Sequence, residues 1–99
     1  MWKLKIAPTV KIAGIVYSVR MVSQMSTEDN CTGKIRTGRA IIDLDNDMHP
    51  DMAKATILHE IIEAIDIENE LSLEHHKVQS LATQLYQVIN DNPEIFKND

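Results

Sequence analysis

The chain has 99 residues, 43% hydrophobic and 25% charged, with 10 Lys and Arg against 15 Asp and Glu for a formal charge of −5. That length allows one domain, and the apolar content is enough for a core, so wholesale disorder is not expected. The acidic balance argues against nucleic acid, whose backbone is bound by exchanging counterions for Lys and Arg, and no run approaches the ~20 apolar residues of a membrane span.

The opening MWKLKIAPTVKIAG has Lys5 and Lys11 interrupting its apolar residues, which makes a poor signal peptide. Cys31 is the single cysteine, so no internal disulfide forms, and a cytoplasmic location is expected. It sits in the polar run STEDNCTG and reads as an incidental surface or turn residue rather than a nucleophile.

Residues 10–22, VKIAGIVYSVRMV, are rich in β-branched side chains, and Tyr17, Val19 and Met21 alternate with Ser18, Arg20 and Val22. This is strand character. STEDNCTG is turn-prone, and a second extended region follows at 34–45, KIRTGRAIIDLD, with Gly38 as a turn or bulge between a short arm and a stronger strand at 39–44. Two or three antiparallel strands are the simplest arrangement.

After NDMHPD the apolar period changes from two to near 3.6. Pro50 suits a first helical turn, Asp47 or His49 can precede it as a cap, and Asp51 complements the helix dipole. Ala55, Leu58, Ile61, Ile62 and Ile65 form a stripe on a helix at about 50–67. A second helix at about 73–91 carries Val78, Leu81, Ala82, Leu85, Val88 and Ile89 and ends before Pro93. The short linker ENELS predicts an antiparallel hairpin packed together and against the strands. The fold class is therefore α+β: one domain over 1–99, a small antiparallel sheet followed by a two-helix hairpin.

The first helix contains His59-Glu60-Ile61-Ile62-Glu63, close to the HExxH of zinc peptidases with Glu63 in place of the second His. At about 100° per residue His59 and Glu63 lie one turn apart on one side, and Glu60 points about 100° further round. One pair can thus converge on an ion while a separate carboxylate handles protons. Zinc accepts carboxylate oxygen at nearly the distance of imidazole nitrogen. A third ligand is needed, and the second helix opens with LEHHKVQ. His75 lies just off the core stripe and His76 faces solvent, so His75 is the choice, with Asp66 and His76 as alternatives. Asp66 also reads as a solvated acid or as an orienting partner of a ligand. Against this stands a plainer reading in which His and Glu are neighbours on a solvated helix face; Tyr86 then packs, and Met21, Met25 and Met52 fill core or surface.

Taken together, AIIDLD, TILHEIIEAID and LEHHKVQSLATQLYQVINDNP resemble a group of small phage- and prophage-encoded zinc metallopeptidases, over roughly residues 33–93. The resemblance implies a minimal zincin-like core with His59, Glu63 and His75 as zinc ligands and Glu60 as general base for a metal-activated water attacking a peptide carbonyl. It further implies a strand edge that holds an extended peptide by β-augmentation, and the host cytoplasm as the compartment. The departure is Glu63, whose charge weakens the ion as a Lewis acid. The other function consistent with the family is a catalytically inactive zincin-like protein that binds and modulates a host protein, with a structural metal or none.

Overall fold

In the computed structural model of the chain, the structure describes residues 7–25 and 31–96. Residues 1–6 of the opening segment and 26–30 of the turn-prone run lie outside the described residues.

The stretch at 10–22 is two strands rather than one. Ala13 and Gly14 both have positive φ, 51° and 81°, which is what a two-residue type I′ hairpin turn demands. They join β1 (Thr9–Ile12) to β2 (Ile15–Val22), antiparallel, with Ile12 opposite Ile15. An alanine at positive φ conceals this turn in the sequence, because glycine or asparagine is the usual signal.

The second extended region also divides. β3 (Gly33–Arg36) and β4 (Ile41–Asp45) are antiparallel and joined by a 3-10 turn at Thr37–Arg39, where Ala40 at φ 53°, and not Gly38, is the left-handed residue. β4 then lies parallel to β2, with Ser18 opposite Ile41 and Val22 opposite Asp45, giving the order β1-β2-β4-β3. The expected two or three antiparallel strands are thus a four-stranded mixed sheet. The cause is visible in β4, where Ile42, Asp43, Leu44 and Asp45 are all buried. A strand covered on both faces belongs in the middle of a sheet, so β3 is displaced to the edge.

Two helices follow, α1 (Pro50–Asn69) and α2 (His75–Asp91). His49 is the N-cap of α1, its Nδ1 accepting the backbone N–H of Asp51 at 3.2 Å with Pro50 behind it. Glu70 in a left-handed conformation ends the helix. The Oδ1 of Asp66 accepts the Leu73 N–H at 3.2 Å and ties down the interhelical loop.

α1 lies on one face of the sheet, placing Ala53 and Ala64, with Ile57 and Ile61, against Tyr17, Ile42 and Leu44. This is not the face the stripe predicts. Ile65 is exposed, Leu58 and Ile62 are half-buried, and Glu60 occupies a buried position instead. α1 is apolar on more than one side, so periodicity alone does not choose between them. α2 packs on α1, so the expected hairpin meets the strands through α1, and α2 buries only Val78 and Ala82. No helix among the described residues is long and apolar enough to cross a membrane.

On the far face of the sheet, Asp43 is buried and receives Arg20 Nε at 2.7 Å and Arg20 Nη2 at 3.1 Å, with Arg36 Nε at 3.5 Å. The Arg20 hydrogen bonds and charge hold its carboxyl below the usual range against the opposing effect of burial.

Candidate metal centre

α1 and the start of α2 bring three ligand-type side chains together on the sheet side of the hairpin. His59 and Glu63, one turn apart, place Nε2 and Oε1 3.0 Å from each other, and His75 Nδ1 stands 3.9 Å from the same oxygen. The imidazole centroids of His59 and His75 are 4.9 Å apart. One ligand atom from each of the three lies within 4.8 Å of the others, so the group could hold a metal ion.

The donor set can be tested against an ion. Ligands about 2.0–2.2 Å from a tetrahedral zinc stand roughly 3.4 Å from one another. The 3.0 Å pair is slightly closer than that and the 3.9 Å pair slightly wider. The His75 side chain is 77% exposed and is free to rotate by the small amount required. His59 is nearly buried, and its Nδ1 has no hydrogen-bond partner among the described residues. A metal-bound His normally gives its other N–H to an oxygen, so this chain fits the ligand set without the usual orienting contact.

Glu60 is the unusual group. It is 4% exposed, Oε1 has no hydrogen-bond partner among the described residues, and no ion pair of Glu60 appears among them. Burial first, then the charge of Glu63 and a hydrogen bond shared with it, push the carboxyl up to about 8. Next to it runs β3. A Cβ on Gly33 would stand 2.6 Å from Thr56 Cγ2 and 3.0 Å from Glu60 Oε2, so only glycine lets the edge strand approach the helix this closely.

Glu60 and His59 line a cavity of about 290 Å³ with Cys31, Thr32, Gly33, Thr56, His75 and Gln79. Cys31, expected to be an incidental surface residue, is half-buried in this lining. Thr56 and Gln79 carry no motif, and only the register of β3 on α1 identifies Thr32 and Gly33 as neighbours of the acid. Neither alternative for the third ligand belongs to the convergent group, although Asp66 lines a neighbouring cavity with Glu63 and His75. Asp66 accepts the loop N–H of Leu73, and His76 points outward beside Glu74 at 3.5 Å. The Tyr86 hydroxyl donates to Asp51 at 2.7 Å, far along the hairpin from the three ligands.

Compared with protein-family models, curated proteins and solved structures, the chain matches none.

Proposed function

We propose that the chain is a zinc-dependent metallopeptidase in which His59, Glu63 and His75 hold the ion and Glu60 is the general base. The observation that carries this reading is a buried carboxyl without a cationic partner, one residue from a cluster of three convergent ligand atoms. Burying an acid in this way destabilises the fold, and such groups concentrate where chemistry needs them.

A zinc ion bound there supplies a Lewis acid for a carbonyl oxygen and makes nearby water more acidic. Glu60 lines the cavity, and its Oε1 accepts no hydrogen bond among the described residues, which supports a role in taking a proton from water and returning it to a departing amine. A proton affinity near ambient pH suits that exchange, and a cation beside Glu63 offsets the negative charge that raises it. Gly33 and Thr32 bring the edge strand β3 to the cavity, which supports an extended peptide as substrate. Kinship with phage-encoded zincins, and a host-cytoplasm location in keeping with the single cysteine, belong to the same proposal.

Elemental analysis of tag-free protein tests it. About one zinc per chain is expected, lost in His59→Ala and retained in Glu60→Gln, with peptide cleavage falling by roughly 10²–10⁴ in Glu60→Gln. Wild-type cleavage by Glu60→Gln removes the role of Glu60, and a chain that takes up no zinc removes the site.

One observation favours the second reading, a non-catalytic protein that modulates a host factor. His59 and Glu63 already meet at 3.0 Å as an i,i+4 pair, which accounts for their juxtaposition without an ion. Thermal stability unmoved by zinc or chelator points there, because a ligand of the folded state raises stability by mass action.

A further inference from the structure

Of the exposed apolar residues of α2, Ile89 lies beside Leu85 and the other three fall in one line. Leu81, Leu85 and Val88 are 46, 43 and 36% exposed, and with buried Val78 they recur at spacings of three, four and three. That is the 3.5-residue repeat of a helix paired with another helix. α1 covers only the side carrying Val78 and Ala82, so most of the seam is left uncovered.

We propose that this seam is the interface of a two-fold homodimer, in which α2 packs antiparallel against α2 of a second copy, the two helices level at Thr83. A two-fold contact requires one patch that complements itself. In the run VQSLATQLYQV at 78–88, Leu81 and Leu85 are placed symmetrically about Thr83, and this exposed pair supplies the self-complementary contact, while Val88 corresponds to Val78, which α1 already covers. Antiparallel pairing in this register sets Leu81 of one copy against Leu85 of the other, twice.

Charge selects the same occupant. The chain carries −5, and α1 bears Asp51, Glu63, Asp66 and Glu68, so two copies repel through most helical surfaces. Residues 78–90 contain no Asp, Glu, Lys, Arg or His. At each end of the seam, Lys77 of one helix comes near Asp91 of the other, with Glu74 of its own chain 3.5 Å from the Lys77 ammonium, so the selection rests on the uncharged seam rather than on its ends.

The exposed part of the seam, Leu81, Leu85 and Val88, stands apart from the metal centre, since Gln79, which lines the cavity there, points about 120° away from Leu85 round the helix axis; only buried Val78 adjoins Glu63 and His75. A helix of 17 residues is about 25 Å long, so the pair buries less than the ~800 Å² per partner of a standard interface. The expected dissociation constant is on the order of 10 µM.

Sedimentation equilibrium of the full chain over about 1–500 µM, spanning that constant, tests the proposal. The mass is expected to rise from 11.2 kDa to twice that value. Leu85→Glu and Leu81→Lys are each expected to stay at the single-chain mass, with unchanged far-UV circular dichroism. An equimolar mixture of the two is expected to dimerise again, because position 81 of one chain meets position 85 of the other. Should Leu85→Glu fail to fold, Leu85→Gln is expected to weaken association at least tenfold while remaining helical. A wild-type mass that stays at one chain throughout overturns the proposal and leaves the seam to a different partner; so does a mixture that fails to associate.

Discussion

Three acids are buried among the described residues; Asp45 accepts the Asp47 N–H at 3.0 Å, and the other two, Asp43 and Glu60, lie one on each side of the sheet and are treated in opposite ways. Asp43 lies between Arg20 and Arg36, which hold its proton affinity down and leave its charge compensated. Glu60, equally shielded from water, faces another carboxylate and is pushed up to about 8. The first arrangement belongs to the fold: a central strand carries a charge that its two neighbouring strands neutralise. The second does nothing for the fold, and its uncompensated charge accumulates where the ligand atoms of His59, Glu63 and His75 converge. Compensation is thus the feature that separates the buried acid the fold accounts for from the one proposed to take part in chemistry.

The sharpest way to break this comparison is to remove the Glu60 charge. Its folded-state affinity is raised above the ordinary glutamate value near 4.5, so the stability associated with its protonated form is fully present below that pH and lost as pH rises through about 8. Glu60→Gln is therefore expected to match wild type at pH 4 and to exceed it by roughly 3–5 kcal/mol at pH 9 in urea denaturation without metal. Equal stability of the two proteins at pH 9 contradicts an uncompensated acid. A cation offers the other route to compensation. Zinc at about a hundred times its dissociation constant is expected to stabilise wild type by about 2.7 kcal/mol, and His59→Ala by nothing measurable, in thermal melts.

A somewhat smaller effect is expected where the edge strand presses on Glu60. In Gly33→Ala the new methyl meets Thr56 Cγ2 at 2.6 Å, and overpacking of this kind costs about 1–3 kcal/mol. If that clash is the cause, adding Thr56→Ser recovers most of the loss, so the two substitutions are strongly non-additive in a double-mutant cycle. Simple additivity places the cost elsewhere.

How much of this was legible in the sequence depends on the range of the interaction. The α+β class, both helices and the i,i+4 pairing of His59 with Glu63 follow from local periodicity, and the helix ends fall within two residues of their expected places. The sheet was harder. Ala13 and Ala40 adopt left-handed conformations that glycine usually signals, and the parallel pairing of β2 with β4 joins residues 23 apart in the chain, which no local pattern encodes. Which side of α1 faces the sheet was hidden because Ile57, Leu58, Ile61, Ile62 and Ile65 surround much of the helix. The outcome places Glu60 inside and Ile65 outside. Cys31, Thr32 and Gly33 reach the cavity only through the packing of β3 on α1.

The smallest expected effects concern Asp43, where the comparison can be sharpened from its other side. With its proton affinity lowered by Arg20 and Arg36, Asp43 contributes stability that is present above the ordinary carboxylate range and lost as pH falls through its folded value. Asp43→Asn is expected to cost about 1–2 kcal/mol at pH 7, a modest figure because both guanidinium groups are about half exposed and return to water when the acid is gone. The difference from wild type should begin to narrow below about pH 4 and close as pH falls through the lowered folded value of Asp43. Arg36→Ala is expected to cost under about 0.5 kcal/mol, since Arg20 Nε remains at 2.7 Å while Arg36 Nε stands at 3.5 Å. Urea titrations at pH 7 and pH 3 check both. A loss in Asp43→Asn that persists undiminished at pH 3 means that packing, not charge compensation, holds β4 at the centre of the sheet, and the contrast with Glu60 then rests on Glu60 alone.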